Sequence, residues 1–271
     1  MLRPFAPGTI DYNGSMATNY PAGRALSAAA AKTWLAAIDP FVPPRVGLTI
    51  LDLGSGTGRF STLLSAAFGA RVIGVEPAAG MRTLAARSGH PPDVTFVAGT
   101  AERLPLGADS CDAAWLSQVL HHLRDHDACA DELHRVPRPS GVVLMRSVFA
   151  DGKDGLPTLL QFFPGISQIL SDLPTVPATI AAFARHGFVL EARRRVEQQT
   201  CASLRELADR TRLRADTSLT LLSDCEFESC QTALDMVAAR ETRPTPVLEE
   251  LQLLVFRAGP KTEKPAGSRA L

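Results

Sequence analysis

The run Ile50-Leu51-Asp52-Leu53-Gly54-Ser55-Gly56-Thr57-Gly58-Arg59-Phe60, followed eighteen residues after Gly58 by Glu76, holds the most specific chemistry in this chain. A glycine turn lets the backbone approach a bound ligand with no Cβ in the way. A carboxylate at the end of the next strand can accept hydrogen bonds from both hydroxyls of a ribose, as in nucleotide-binding α/β folds. Together they describe a site for an adenosine-containing cofactor. The spacing is G-x-G-x-G, not the G-x-G-x-x-G of a pyrophosphate-binding turn, and a dinucleotide needs helix N–H groups aimed at its phosphates.

The elements that must hold these residues follow the same pattern along the chain. Thr49 to Leu53 reads as a buried strand, Arg59 to Phe68 as a helix and Arg71 to Val75 as a second strand. Further strands are expected near 94–98, 111–116, 142–149, 188–196 and 247–258. Helices are expected near 78–87, 125–136 (with Asp125 as N-cap), 175–185, 201–214 and 226–240, and a short proline-bounded helical stretch over 157–173. Alternating strands and helices imply a mostly parallel sheet.

Leu51-Asp52-Leu53-Gly54-Ser55-Gly56-Thr57-Gly58 resembles motif I of the class I S-adenosylmethionine-dependent methyltransferases, whose cofactor carries an aminocarboxylate and a sulfonium but no phosphate. Four further blocks resemble that family in the same order. They are Val72-Ile73-Gly74-Val75-Glu76-Pro77 with Met81; Val97-Ala98-Gly99-Thr100-Ala101-Glu102-Arg103-Leu104-Pro105-Leu106; Asp109 to Trp115 with Val119-Leu120-His121-His122-Leu123; and Glu132 to Leu144. The five cover residues 45–150. The resemblance implies a Rossmann-like, seven-stranded, mostly parallel sheet with an antiparallel edge strand, helices on both faces and a helical cap. It divides the chain into N-terminal lid helices over 1–40, a methyltransferase domain over 41–258 with a helical insertion near 198–244, and a disordered tail over 259–271.

The same resemblance implies a cofactor site. Gly54, Gly56 and Gly58 allow close approach, Ser55 lies between them, and Asp52 supports the turn and the cofactor's amino group. Glu76 holds the ribose beside Pro77, and Met81 and Ala101 flank the adenine with Thr100 and Glu102. Ser117 closes the fourth strand. Tyr12 and Tyr20-Pro21-Ala22-Gly23-Arg24 resemble the Y…Y…R element that family members place over the cofactor, which suits Arg24 to a carboxylate. Some positions depart from the family. Thr100 stands where an aspartate is common, Pro139-Ser140-Gly141 where Pro-Gly-Gly is usual, and Cys111 where Phe is common.

The implied reaction is in-line methyl transfer from the cofactor. Alignment and desolvation account for much of the acceleration, and a base is needed only when the nucleophile must shed a proton early. His122, and after it His121, are the expected bases, with an unperturbed pKa near 6.5. A scaffold role stays open, because many family members carry this His-His pair whatever their acceptor. Leu116-Ser117-Gln118-Val119 stands where enzymes methylating exocyclic nitrogen carry Asn/Asp-Pro-Pro-Tyr. The expected acceptor is therefore a small molecule or short peptide, with Met16, Phe162 and Phe163 as candidate walls. A nicotinamide-dependent oxidoreductase and a non-catalytic cofactor-binding protein are the rival readings.

Composition agrees. With 271 residues the chain can bury one large core, and 28 basic against 28 acidic residues give no sign of a polyanionic partner. Arg193-Arg194-Arg195 and Arg210-Thr211-Arg212-Leu213-Arg214 are read as solvated faces rather than a nucleic-acid surface. The five cysteines form no C-x-x-C pair, so no metal is expected. No stretch reaches the roughly 20 apolar residues of a membrane span. The expectation is a cytoplasmic monomer or homodimer.

Overall fold

A computed structural model describes residues 10–259. Residues 1–9 of the expected lid and 260–271 of the expected tail lie outside the described residues. Two helices, α1 (Ser15–Gly23) and α2 (Ala28–Ile38), precede the sheet. The sheet begins with β1 (Thr49–Leu53), α3 (Arg59–Phe68), β2 (Arg71–Val75), α4 (Ala79–Arg87) and β3 (Val94–Val97). It continues through β4 (Cys111–Ser117), α5 (His126–Arg135) and β5 (Pro137–Ser147). Three helices follow, α6 (Pro157–Phe162), α7 (Ile166–Ser171) and α8 (Val176–Arg185), then β6 (Phe188–Cys201). Finally α9 (Leu204–Arg212), α10 (Thr217–Thr220) and α11 (Asp224–Ala239) lead to β7 (Val247–Ala258).

The strand order is β3-β2-β1-β4-β5-β7-β6. The first five strands are parallel, and β7 runs antiparallel between β5 and β6. The central strands are buried on both faces, as their continuous apolar runs require. Trp34, Phe60, Trp115 and Leu144 build the core on one face, and Leu116, Met145, Phe183 and Phe256 on the other. The connections leave β1 and β4 in opposite directions, so a crevice opens beyond their carboxyl ends, where ligands bind in open α/β sheets. Asp125 caps α5 as expected, accepting from Ala128 N at 2.9 Å.

Two strands differ from the sequence expectation. β5 starts at Pro137, which pairs with Cys111 ahead of a register shift in β4; its prolines and Ser140 hide that start from a reading based on apolar runs. β6 continues past Val196 to Cys201, pairing along its length with β7 down to Val247. That extension is polar on its outer side, so the sequence shows no strand there. It forms an arm that carries α9, α10 and α11 back over the crevice.

Arg193, Arg194, Arg195 and Arg212 of the basic runs are exposed, and several members of the runs pair locally. Arg195 pairs with Glu250, Arg212 with Asp209 and Asp235, and Arg214 with Asp224. Arg210 is part-buried and donates to the carbonyls of Ala25 and Thr200, which ties the insertion to the chain ahead of α2.

Candidate functional site

The glycine turn is fastened to the end of β2. Gly54 N and Ser55 N both donate to Val75 O, at 2.8 and 3.2 Å, and Gly58 N donates to Ser55 O. All three glycines have positive φ, which only glycine adopts without strain. Their surroundings separate them. A Cβ on Gly54 would meet Val119 at 2.5 Å and one on Gly58 would meet Phe96 at 2.4 Å, whereas one on Gly56 would meet nothing within 4 Å. Gly54 and Gly58 are small so that the protein can pack on itself. Gly56 alone faces open space. Ser55 turns its hydroxyl toward Gly74, so its backbone lines the turn.

Glu76 is 7% exposed, and its carboxylate reaches back to the turn. Oε2 accepts from Gly56 N at 3.0 Å and Oε1 from Ala78 N at 2.8 Å. Burial raises its pKa, opposed by these N–H donors and by Arg82. Asp52 is buried beneath the turn and accepts from Ser61 Oγ at 2.6 Å, fixing α3 against β1. Burial pushes its pKa up to about 7.

Of the residues expected around the adenine and ribose, Met81 and Ala101 are buried, Thr100 and Pro77 are exposed, and Glu102 accepts from Arg124 N at 3.0 Å. Met81 packs with Met16 and Ala17 of α1 and with Ala215 from the insertion. Gly80 N donates to Asn13 Oδ1 at 2.9 Å. The N-terminal segment therefore lies closed on α4, over the edge of the same crevice.

Tyr20 and Arg24 come from this closed segment. Arg24 Nη1 meets Asp216 Oδ2 at 2.5 Å, which leaves its fork turned to the insertion, while its carbonyl accepts from Arg59 Nη1. The guanidinium of Arg59, the first residue of α3, lies 5.7 Å from the Tyr20 ring centre. Ser117 Oγ accepts from Arg146 Nη1 at 2.9 Å.

The two histidines follow β4 on a short helical turn. His122 Nε2 lies 3.0 Å from Tyr12 Oη, and that oxygen lies 3.0 Å from Thr217 Oγ1. Three segments far apart in sequence thus meet in one polar chain. Burial brings the His122 pKa down to about 4 and the His121 pKa well below its usual value, with His122 adding to the latter. Burial also raises the Tyr12 phenol above its usual range. Near neutral pH the ring is an uncharged imidazole and the phenol holds its proton. Beside them lies a pocket walled by Leu156, Leu159, Ile169, Leu170 and Leu173. Of the three walls expected from sequence, Phe162 and Phe163 belong to the core around Phe227, and Met16, on α1, packs with Met81 and Ala215.

Sequence reasoning missed Asp216, Thr217 and Arg146. The first two carry no motif. Arg146 did leave a signal, a charge inside the apolar run Val142 to Val148, where an unpaired ion is costly. Among the described residues no three His, Cys, Asp or Glu side chains gather as a metal site needs. No helix there is long and apolar enough to cross a membrane.

A doubly wound sheet with a glycine turn at its switch point and a carboxylate at the end of β2 defines a nucleoside-cofactor protein. Comparison with known proteins narrows the class. Residues 51–145 match the methyltransferase domain family. The chain is 33% identical over 150 residues to a malonyl-[acyl-carrier protein] O-methyltransferase of Serratia marcescens, covering 54% of this chain and 57% of that protein. It is 37% identical over 98 residues to the ubiquinone/menaquinone biosynthesis C-methyltransferase UbiE of Rubrivivax gelatinosus, covering 36% and 38%. In fold it is similar to a Haemonchus contortus phosphoethanolamine N-methyltransferase bound to phosphomonomethylethanolamine and S-adenosylhomocysteine. That likeness has a TM-score of 0.61 at 18% identity, over 94% of this chain and 62% of that one. Over residues 51–145 the chain is similar to methyltransferases, and its seven-stranded sheet has the fold of the solved methyltransferases it resembles. It spans about half or less of the length of most of the curated relatives it matches.

The open space at Gly56 is what a cofactor of this family requires, and it sets a test. Gly56→Val should weaken S-adenosylhomocysteine binding by at least about 2 kcal/mol, because its side chain fills that space. The matching change at Gly58 should act mainly on stability, through Phe96. Calorimetric titration and thermal melts of both variants check this, and equal cofactor affinity in Gly56→Val rules out the cradle.

Proposed function

We propose that this protein transfers a methyl group from S-adenosylmethionine to a small-molecule or short-peptide acceptor. The observation that carries the reading is the backbone at Gly56, where a Cβ would meet nothing within 4 Å, held by the Glu76 carboxylate on the same sheet whose fourth strand leads to the His122–Tyr12–Thr217 chain. When bound, the cofactor supplies an electrophilic methyl group on a sulfonium.

The remaining work falls to the chain's own side chains. The turn from Gly54 to Gly58 and Asp52 would hold the amino-acid end, and Glu76 the ribose. Met81 and Ala101 would bracket the adenine. Tyr20, Arg24 and α1 would cover the site and exclude water, which strengthens every polar contact inside. Opening the Arg24–Asp216 pair would admit the ligands. His122, uncharged and hydrogen-bonded to Tyr12, would accept the acceptor's proton where the nucleophile carries one.

Titration with S-adenosylhomocysteine and separately with NADH tests the reading. Micromolar binding of the first alone supports it, and binding of NADH alone replaces it with an oxidoreductase. The histidine has its own test. His122→Ala should lower turnover by about 100-fold with little change in cofactor affinity. In the unaltered chain saturated with cofactor, so that titration of Asp52 near 7 does not limit binding, turnover should fall through His122 only as pH nears about 4. Undiminished turnover in the variant would assign His122 to the scaffold.

A further inference from the structure

Four arginines face the cleft beneath α2 and α9, and two of them have counter-ions. Arg24 pairs with Asp216 and Arg210 with Glu206, each at 2.5 Å. Arg59 and Arg146 pair with no carboxylate among the described residues. Arg146 is 2% exposed. Its Nη1 donates to Ser117 Oγ at 2.9 Å and its Nη2 to Gln198 Oε1 at 3.0 Å, both uncharged, while its buried Nε has no partner. The rings of Trp34 and Phe60 lie 4.8 and 5.5 Å from the guanidinium. Glu249, the other carboxylate lining the cleft, is held by Gln198 Nε2 at 3.3 Å, and burial raises its pKa.

A guanidinium keeps its charge at neutral pH even when buried, and taking it out of water without a counter-ion costs several kcal/mol. Contact with aromatic faces recovers only part of that. The cleft therefore carries two cations against one carboxylate that burial biases toward its neutral form. We propose that Arg146, with Arg59 beside it, anchors a carboxylate on an apolar-bodied acceptor. The proposal rests on the methyltransferase reading and names the class of acceptor.

Three observations direct it there. Arg146 stands on β5, three strand spacings, about 14 Å, across the sheet from β2 and the Glu76 that follows it, and neither the glycine turn nor Met81 lines this cleft. That places the charge toward the acceptor rather than the cofactor. Leu26, Leu159, Leu207 and Leu219 line the same cleft and suit an apolar body. Arg146 supplies a buried charge with one unpartnered N–H, and Arg59, whose Nη1 donates to the Arg24 carbonyl, keeps its other N–H groups, so the pair together suits one carboxylate. Oxygens held this way are poor nucleophiles, so this group anchors and another atom of the acceptor is methylated. The neighbouring compartment with His122 shares Arg24, Leu159, Asp216 and Glu249 with this one, so the Arg24–Asp216 pair stands between the two and must part for one acceptor to reach both.

Calorimetry with hexanoate and hexanamide, on the chain alone and saturated with S-adenosylhomocysteine, tests the assignment. Hexanoate should bind about tenfold or more tighter than the amide. Arg146→Gln should weaken hexanoate by roughly 10- to 100-fold and leave S-adenosylhomocysteine affinity within about twofold. Equal binding of acid and amide, no hexanoate binding, or undiminished binding by the variant overturns the proposal. Loss of S-adenosylhomocysteine affinity in the folded variant also overturns it, since the anion met by Arg146 would then belong to the cofactor. The acid-against-amide comparison uses the unaltered chain and decides even where the variant fails to fold. If the unaltered chain binds no S-adenosylhomocysteine, the methyltransferase reading fails by itself, and the same comparison without cofactor still decides whether the cleft holds an anion.

Discussion

Glu76→Ala should weaken S-adenosylhomocysteine binding by about 2–4 kcal/mol, a factor of roughly 30 to 1,000. The carboxylate closes β2 and is almost wholly buried, with one backbone N–H on each oxygen. A carboxylate oxygen can accept a second hydrogen bond, so each retains capacity for a ribose hydroxyl. Truncation has two consequences. On the proposed reading the ribose loses its acceptors, and the N–H groups of Gly56 and Ala78 lose theirs, which loosens the turn itself. Glu76→Gln separates them, because the amide keeps one acceptor and the side chain's shape but sets an NH2 against the other N–H. Titrations of both variants with S-adenosylhomocysteine and with adenosine give the split. Loss for both ligands places Glu76 on the nucleoside, and an unchanged affinity in Glu76→Ala removes it from the site.

What could be read in the sequence is what is short-range. The run from Leu51 to Gly58 and the carboxylate of Glu76 lie in one βαβ unit, and local geometry brings them together once the strands form. Gly54, Gly56 and Gly58 look alike in sequence, yet only the packing of Val119 and Phe96 reveals which of them faces open space. Arg24 was legible as a cation beside a helix, but its partner Asp216 is 192 positions away. Thr217 likewise meets Tyr12 from 205 positions away. Neither residue interrupts an amphipathic pattern, so nothing local marks it. The extension of β6 stayed hidden for a related reason. Its residues alternate polar and buried only because β7 lies beside them.

Trp34→Ala should destabilise the fold by about 3–5 kcal/mol, lowering Tm by roughly 6–20 °C. From the sequence, the alanine-rich segment around Trp34 reads as part of a lid. In the structure Trp34 is 0% exposed and packs edge-on against Trp115 of β4, with ring centres 6.2 Å apart. Its Nε1 donates to Gln198 Oε1 at 2.7 Å, and that same oxygen accepts from Arg146. Removing the indole opens a cavity against the sheet and takes the aromatic face from a buried cation. Trp34→Phe keeps most of the apolar area but loses the N–H bond, and should cost roughly 1–2 kcal/mol. Urea unfolding of both variants measures these costs. If Trp34→Ala stays within about 1 kcal/mol of the unaltered chain, α2 is a docked cover that can lift away. A large loss makes α2 a wall of the core and leaves α1, among the described elements, as the one to open over the crevice.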